Sequence, residues 1–451
     1  MNQEKVAMLS PHDAIAEEEE LLERLQQARL QSDQLFDQVK PEFLYERPIP
    51  ERHRIIFYVG HLEAFDWNLL RERVLHRTSF HSEFDNLFAF GIDPVDGGLP
   101  SDQPSDWPSL EQVRNYVSEA RQAIDAGLDG ATRFRQSGPE RVSPGQLLNV
   151  AIEHRLMHAE TLAYMLHQLP HDQKVPSPAV PALVVNPVSP EMLEIPAGAA
   201  TLGISRSDAG VFGWDNEYEE HKVQVPAFSI DRYEVTNRQY LDFLNAGGYE
   251  DPALWNAADW KWKVEQNISH PVFWNRIDGE WRYRTMFESV SLPLDWPVYV
   301  SHAEASAYAR WVGKALPSEA QWHRAAYGTP EGRERQFPWG SEAPNRKLGN
   351  FDFERWDPTP VGAFPQGQSA FGVADLLGNG WEWTSTRFAP FPGFEAFSFY
   401  PGYSANFFDD QHYVMKGGSP RTATCMLRRS FRNWFQPHYQ YVYAGFRCVS
   451  K

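Results

Sequence analysis

The sequence predicts two folds in series, an N-terminal four-helix bundle and then a loop-rich domain of mixed helix and strand. Three observations predict it. Apolar residues recur at helical spacing in four long segments before residue 170. The stretch "KVPSPAVPALVVNPVSP" (174–190) then carries five prolines and cannot continue a helix. Beyond about residue 191, short β-prone runs and Trp-Gly and Pro-Gly punctuation replace the long amphipathic segments. A chain of 451 residues also exceeds one ordinary core. The expected division is a bundle over 1–173, a linker over 174–190 and a second domain over 191–451.

The first helix is expected over 14–40, where Leu21, Leu22, Leu25, Leu30 and Phe36 fall at helical spacings. The second is "RIIFYVGHLEAFDWNLLRERVL" (54–75), which contains His61. The third spans 109–129 with Ser109 as its N-cap. The fourth, 143–169, is entered through Ser143 and Pro144. The longest connection lies around 80–108. In the second domain, 237–247 and 301–313 read as helices. No internal repeat is evident.

Composition excludes several classes. A net charge of −18 leaves no basic stripe to neutralise phosphates, so a nucleic-acid partner is not expected. The 16 tryptophans therefore pack cores or line a small-molecule pocket. Two cysteines, Cys425 and Cys448, make no disulfide framework. The polar, acidic start "MNQEKVAMLSPHDAIAEEEE" is unlike a signal peptide, and no apolar run approaches a membrane span. A cytoplasmic protein without a membrane partner is the expectation.

The stretch "HRLMHAE" (154–160) carries chemistry. His154 and His158 stand four apart on a helix, about 40° apart around its axis, which offers two nitrogens to one ion. His61, flanked by Val59, Leu62 and Phe65 on the second helix, is the candidate third ligand. Three neutral imidazoles leave a divalent metal with open positions, the arrangement of a catalytic site. Such a set suits zinc, iron or copper. Glu160 lies about 200° around the helix from His158 and is a poor ligand candidate. His53, His76, His81 and His167 lack partner spacing, so solvated or core roles are expected for them.

The second domain carries a resemblance. "DRYEVTNRQYLDFL", "ALPSEAQWHRAA", "FPWG", "GNFD", "GNGWEWT", "VMKGGSP", "SFRNW" and "AGFRC" stand in the order seen in the formylglycine-generating-enzyme fold, a relative of C-type lectins. Within that fold Trp381, Trp383 and Gly378 read as core and turn residues. The formylglycine-generating enzyme itself uses two nearby cysteines for copper, whereas "GGSPRTATCMLRRSFRNW" has only Cys425. The combination of a bundle bearing H…HxxxHxE with this fold resembles the ergothioneine sulfoxide synthase family and its selenoneine synthase counterpart. The implied fold class is α plus α+β, a DinB-like four-helix bundle followed by a formylglycine-generating-enzyme-type, C-type-lectin-like domain.

The resemblance implies a non-haem iron enzyme in which His61, His154 and His158 bind Fe(II). The implied reaction uses O2 to join a sulfur or selenium donor to C2 of the imidazole of hercynine, N-trimethylhistidine. It implies Tyr400, in "EAFSFYPGYSANFF" with Tyr403 beside it, as a proton and electron donor, and Asn433 and Trp434 as substrate contacts. A phenol of unperturbed pKa ~10 stays protonated at neutral pH. Trp434, Phe435 and Tyr439 offer aromatic walls to a quaternary ammonium. Departures bear on the donor. Met157 stands where relatives carry a glutamine that holds the imidazole. The stretches 85–94 and 435–440 lack the arginines that grip γ-glutamylcysteine and present Phe88, Phe90, Phe435, His438 and Tyr439 instead. Without a guanidinium fork a dicarboxylate loses bidentate anchoring, which favours a seleno- or thiosugar, with free cysteine next. Two other classes remain open at this point: a zinc-dependent DinB-like thiol transferase, and a non-catalytic small-molecule-binding protein.

Overall fold

The four long helices form where apolar spacing puts them, except that the first ends at Phe36 rather than at residue 40. In the computed structural model, which describes residues 11–89, 99–128, 142–178, 180–208 and 211–450, the chain divides into two units, Met1–Pro176 and Ser177–Lys451. The first is a four-helix bundle with one short extra helix: α1 (Pro11–Phe36), α2 (Ile55–Leu70), α3 (Ser82–Leu87), α4 (Leu110–Leu128) and α5 (Pro144–Gln168). Ser109 and Ser143 cap α4 and α5 by accepting from the N–H groups of Gln112 and Gln146. Helix α2 ends five residues before the expected Leu75, because the N–H groups of Val74 and Leu75 both turn back to the Leu70 carbonyl. The stretch read as one long connection holds α3, capped by His81, whose Nδ1 accepts from the Phe84 N–H at 3.3 Å.

α1 packs on α5, and α2 packs on both α4 and α5. Apolar packing alone leaves helices free to slide by a residue; a buried ionic network removes that freedom. Arg155 of α5 is 1% exposed and reaches Asp66 Oδ2 at 2.5 Å, Glu63 Oε1 at 3.0 Å and the Leu62 carbonyl at 3.1 Å, all on α2. It also donates to Ser32 Oγ of α1 at 3.2 Å. Arg121 of α4 adds a bond to Glu63 at 2.6 Å and a fork on Asp33 of α1 at 2.7 and 2.8 Å. Burial works against the Glu63 charge, yet Arg155, Arg121 and Arg29 hold its carboxyl below the usual range. Burial pushes Asp66 up to about 6.

The second unit is loop-rich, with strands β1 (Met192–Ile195), β2 (Gly198–Leu202), β3 (His221–Val225), β4 (Phe228–Asp231), β5 (Trp274–Ile277), β6 (Glu280–Arg284), β7 (Ser289–Ser291), β8 (Gly380–Arg387), β9 (Tyr413–Gly418), β10 (Asn433–Phe435), β11 (Ala444–Gly445) and β12 (Val449–Ser450). Its helices are α6 (Asn237–Asn245), α7 (Ala257–Glu265), α8 (His302–Trp311) and α9 (Glu319–Tyr327). The central sheet runs β10-β9-β8-β11, and β1-β4-β12 brings the two ends of the unit together. Trp322, Ile230, Phe351 and Leu376 sit in a core that these strands and α9 enclose. Trp381 and Trp383 are buried, and Gly378 holds φ +88° where a Cβ would lie 2.5 Å from the Asn350 carbonyl oxygen. Among the described residues no helix is long and apolar enough to cross a membrane.

The network makes a stability prediction. Arg155→Met leaves Asp66 and part of Glu63 buried without a counter-charge, and should cost about 3 kcal/mol or more in urea unfolding. A loss under ~1 kcal/mol would show that the helices hold their register without it.

Candidate functional site

His61 on α2 and His154 and His158 on α5 are brought together by that register. Each is at most 5% exposed, and one ring nitrogen from each lies within 4.8 Å of the others. His158 Nε2 stands 3.2 Å from His61 Nε2 and 3.1 Å from His154 Nε2. Nitrogens each about 2.1 Å from one ion stand roughly 3 Å apart at neighbouring coordination positions, so the spacing fits a shared metal. The tautomer of His61 agrees. Its Nδ1–H donates to the Phe88 carbonyl at 2.7 Å, which leaves the Nε2 lone pair facing the other two rings.

Packing fixes the rings. Phe57 stacks on His61 at 4.8 Å and Phe65 on His154 at 3.4 Å between centroids. Gly60 permits the Phe88 contact, since a Cβ there would lie 2.5 Å from the Phe88 ring. Burial lowers His61 to about 4 and His154 and His158 well below the ordinary imidazole value. All three are therefore neutral near pH 7, the form that binds metal. The donor set suits zinc, iron or copper.

The remaining histidines take other roles. His53 stacks on Phe57 at 4.2 Å, His81 caps α3, His167 is buried and His76 is exposed. Glu160 is buried but stands outside the three-histidine cluster. Met157 is half-buried on α5.

In the second unit, Tyr400 is half-buried and joins an aromatic group with Tyr403, 5.6 Å away, and Trp214, 6.5 Å away. Trp434 belongs to the same group. It meets Tyr403 edge-on at 5.4 Å and stacks on Phe388 at 4.2 Å and 6°. Asn433 bonds the Trp434 N–H through Oδ1 at 2.9 Å. Phe435 and Tyr439 form a separate stack at 5.0 Å. Beneath the "SFRNW" segment, buried Arg432 forks onto Glu319 at 3.0 and 3.2 Å and lies over Phe391 at 3.9 Å.

One expectation is corrected. Phe88 does not face a donor as part of an aromatic wall; its ring is fully buried against Gly60, Phe84 and Trp107, and its carbonyl accepts from His61. Phe90 lies outside the described residues. His438 donates from Nε2 to Asp259 at 2.9 Å and stacks on Trp262 at 4.7 Å. The Phe88 carbonyl, the Phe57 and Phe65 rings, Trp214, Phe388 and the Arg432–Glu319 pair escape a reading by motif. The aromatic letters are those of ordinary core residues, while Arg432 and Glu319 stand in the blocks "SFRNW" and "ALPSEAQWHRAA" with nothing local to show that they pair.

The site yields a metal-binding prediction. Protons compete with a metal only near or below the histidine pKa, and these values are lowered. Co(II) affinity of the metal-stripped protein should therefore change less than about threefold between pH 8 and 6, then fall toward pH ~4. An ordinary imidazole of pKa ~6.5 would weaken binding already at pH 6. Replacing His61, His154 or His158 with Ala should weaken binding on the order of 100-fold. Unchanged titrations for any of the three would remove that residue from the site.

Comparison with known proteins identifies the family. The sulfatase-modifying factor enzyme 1-like domain matches residues 180–451, and the DinB superfamily matches 24–162. The hercynine oxygenase of Mycobacterium tuberculosis is 36% identical over 349 residues, 76% of this chain and 78% of that protein. That of Mycolicibacterium smegmatis is 36% identical over 68% of this chain and 72% of its own. The ergothioneine biosynthesis protein 1 of Neurospora crassa is 30% identical over 90% of this chain, which spans 55% of that longer protein. With that degree of identity over three quarters of both chains, the chain belongs to the hercynine oxygenase family of ergothioneine-type sulfoxide synthases.

Proposed function

We propose that this protein is a non-haem Fe(II) enzyme that uses O2 to join a selenium or sulfur donor to C2 of the hercynine imidazole. The observation that carries the reading is the buried cluster of three neutral histidines, with Nε2 separations of 3.1 and 3.2 Å, in a chain whose relatives are hercynine oxygenases. His61, His154 and His158 would hold the iron, which when bound supplies open positions and a path for electrons from the substrates to O2. For a thiol donor the balance closes on one O2: the C2–H and S–H bonds break, the C–S bond forms, and the two oxygen atoms end on sulfur and in water.

The chain's own residues do the rest. Trp434 and its aromatic neighbours give the trimethylammonium group a face to rest on. Phe435 and Tyr439, stacked on each other, offer a second aromatic face. Tyr400 delivers a proton, and its loss should appear in turnover rather than binding. The donor is a low-charge seleno- or thiosugar. His438, the one basic side chain in 435–440, is already engaged by Asp259, so this segment offers a carboxylate no free cation. Desolvating an unpaired carboxylate costs several kcal/mol. A zinc thiol transferase shares the DinB domain and the ligand set. Iron content with stoichiometric O2 consumption supports our reading; zinc without O2 consumption supports the other.

Tyr400→Phe should slow product formation or redirect the product while hercynine affinity changes less than about threefold. Unchanged turnover and product would return Tyr400 to a packing role. For the donor, a mixture of cysteine, γ-glutamylcysteine and a selenosugar at equal concentration, with hercynine, iron and O2, decides by product mass. The selenosugar should exceed γ-glutamylcysteine in kcat/KM by at least ~100-fold, about 2.7 kcal/mol. A predominant γ-glutamylcysteinyl sulfoxide would overturn the sugar-donor assignment.

A further inference from the structure

Tyr400 sits in a segment with little regular structure to hold it. Between β8 and β9, residues 388–412 contain a single 3-10 turn, Ala405–Phe407, among the described residues. A side chain on such a segment keeps its place only if neighbouring groups clamp the backbone. The dipeptide Trp214-Asp215, nearly two hundred positions earlier in the chain, clamps it at three points.

The first point is Ser404, whose Oγ donates to Asp215 Oδ1 at 2.5 Å, with both residues fully buried. The second is Phe397, whose backbone N–H bonds the same carboxylate. The third is Tyr403, whose ring lies on the Trp214 indole at 3.9 Å and 23°. Two backbone bonds close the segment on itself: the Tyr400 N–H donates to the Phe397 carbonyl at 3.0 Å, and the Tyr403 N–H to the Tyr400 carbonyl at 3.2 Å. Tyr400 is thus the centre of a loop whose two ends, Phe397 and Ser404, meet on one carboxylate. Burial raises the Asp215 carboxyl above its ordinary value, and the bonds from Ser404 and Phe397 pull it back down. Asp215 is itself fixed, because it opens the 3-10 turn Asp215–Glu217, and Glu217 is held by Arg428 at 2.8 Å and Ser430 at 2.6 Å.

We propose that Asp215 is a positioning residue for Tyr400, acting through Ser404 and the Phe397 backbone. The proposal rests on the reading of Tyr400 as the proton donor. Asp215 touches neither substrate nor metal in this account; it sets where the phenol stands. Loosening the loop should therefore lower kcat while leaving hercynine KM nearly unchanged, because proton delivery is sensitive to placement and substrate binding by Trp434 is not.

The test uses the full-length iron-loaded enzyme. Asp215→Ala removes a buried charge and can unfold the domain, so Ser404→Ala, which deletes one oxygen atom, is the primary variant. Ser404→Thr, which keeps the hydroxyl, is the rescue. Ser404→Ala should lower kcat about tenfold with hercynine KM within threefold, and Ser404→Thr should recover at least half of wild-type kcat. In a Tyr400→Phe background, Ser404→Ala should cost less than twofold further, since the group it positions is gone. Independently of activity, amide hydrogen exchange across 397–404 should quicken at least tenfold in Ser404→Ala and not in Ser404→Thr. Equal losses in the two backgrounds, or unchanged exchange in 397–404, would overturn the proposal. A silent Tyr400→Phe beside an impaired Ser404→Ala would overturn both readings of this loop, and the silent single variant identifies the Tyr400 assignment as the step that failed.

Discussion

The guanidinium of Arg155 is the constraint on which the candidate metal centre depends. It follows His154 directly in the chain, and its partners Leu62, Glu63 and Asp66 follow His61 within five residues. One buried cation therefore locks the axial position and rotation of α5 against α2 at the turn where the three imidazoles must meet. A slide of one residue along α2 would rotate His61 by ~100° and break the cluster. Hydrophobic packing tolerates such errors at modest cost. A buried charge left without its partner does not. Arg121 and Asp33 extend the same logic to α4 and α1, so charge pairs link all four long helices of the bundle.

The second unit solves a related problem with little regular structure. Its functional candidates lie on short strands and loops, where backbone hydrogen bonds constrain them poorly. Buried ion pairs and stacked aromatics take over. Arg432 bonds Glu319 on α9 and the carbonyls of Asn216 and Ala389, so three distant segments meet at one side chain. Phe388, over which Arg432 lies, carries the stack on Trp434. Fourteen of the sixteen tryptophans lie in this unit, where large rings fill the space between loops.

What could be read from the letters follows from which forces are local. The helices of the bundle were legible because their apolar period and their caps, Ser109 and Ser143, are written within one segment. His154 and His158 were legible as a pair because helix geometry alone sets their spacing. His61 could be nominated but not placed, since its approach depends on Arg155 contacts across ninety positions. The lectin-like domain was legible through its motif blocks and not through periodicity, because its strands are two to eight residues long. The role of Phe88 was misread for the same reason: a phenylalanine in a loop looks like a wall, and nothing local shows that its carbonyl is committed to His61.

The lowered histidine pKa values have a chemical consequence for the donor. Three neutral imidazoles add no negative charge, so a divalent ion held by them keeps its full positive charge. Arg155 and Arg52 push these imidazoles further toward the neutral form, while Asp66 and Glu63 balance the Arg155 charge. Such a centre favours ligands that arrive as anions at the reacting atom, and selenolate does so more readily than thiolate because selenols are the stronger acids. Charge placed elsewhere on the donor gains nothing from the metal and must find its own partner. In 435–440 that partner is already occupied by Asp259. Under the proposed function, a donor that is negative at the chalcogen and uncharged in the body meets both conditions.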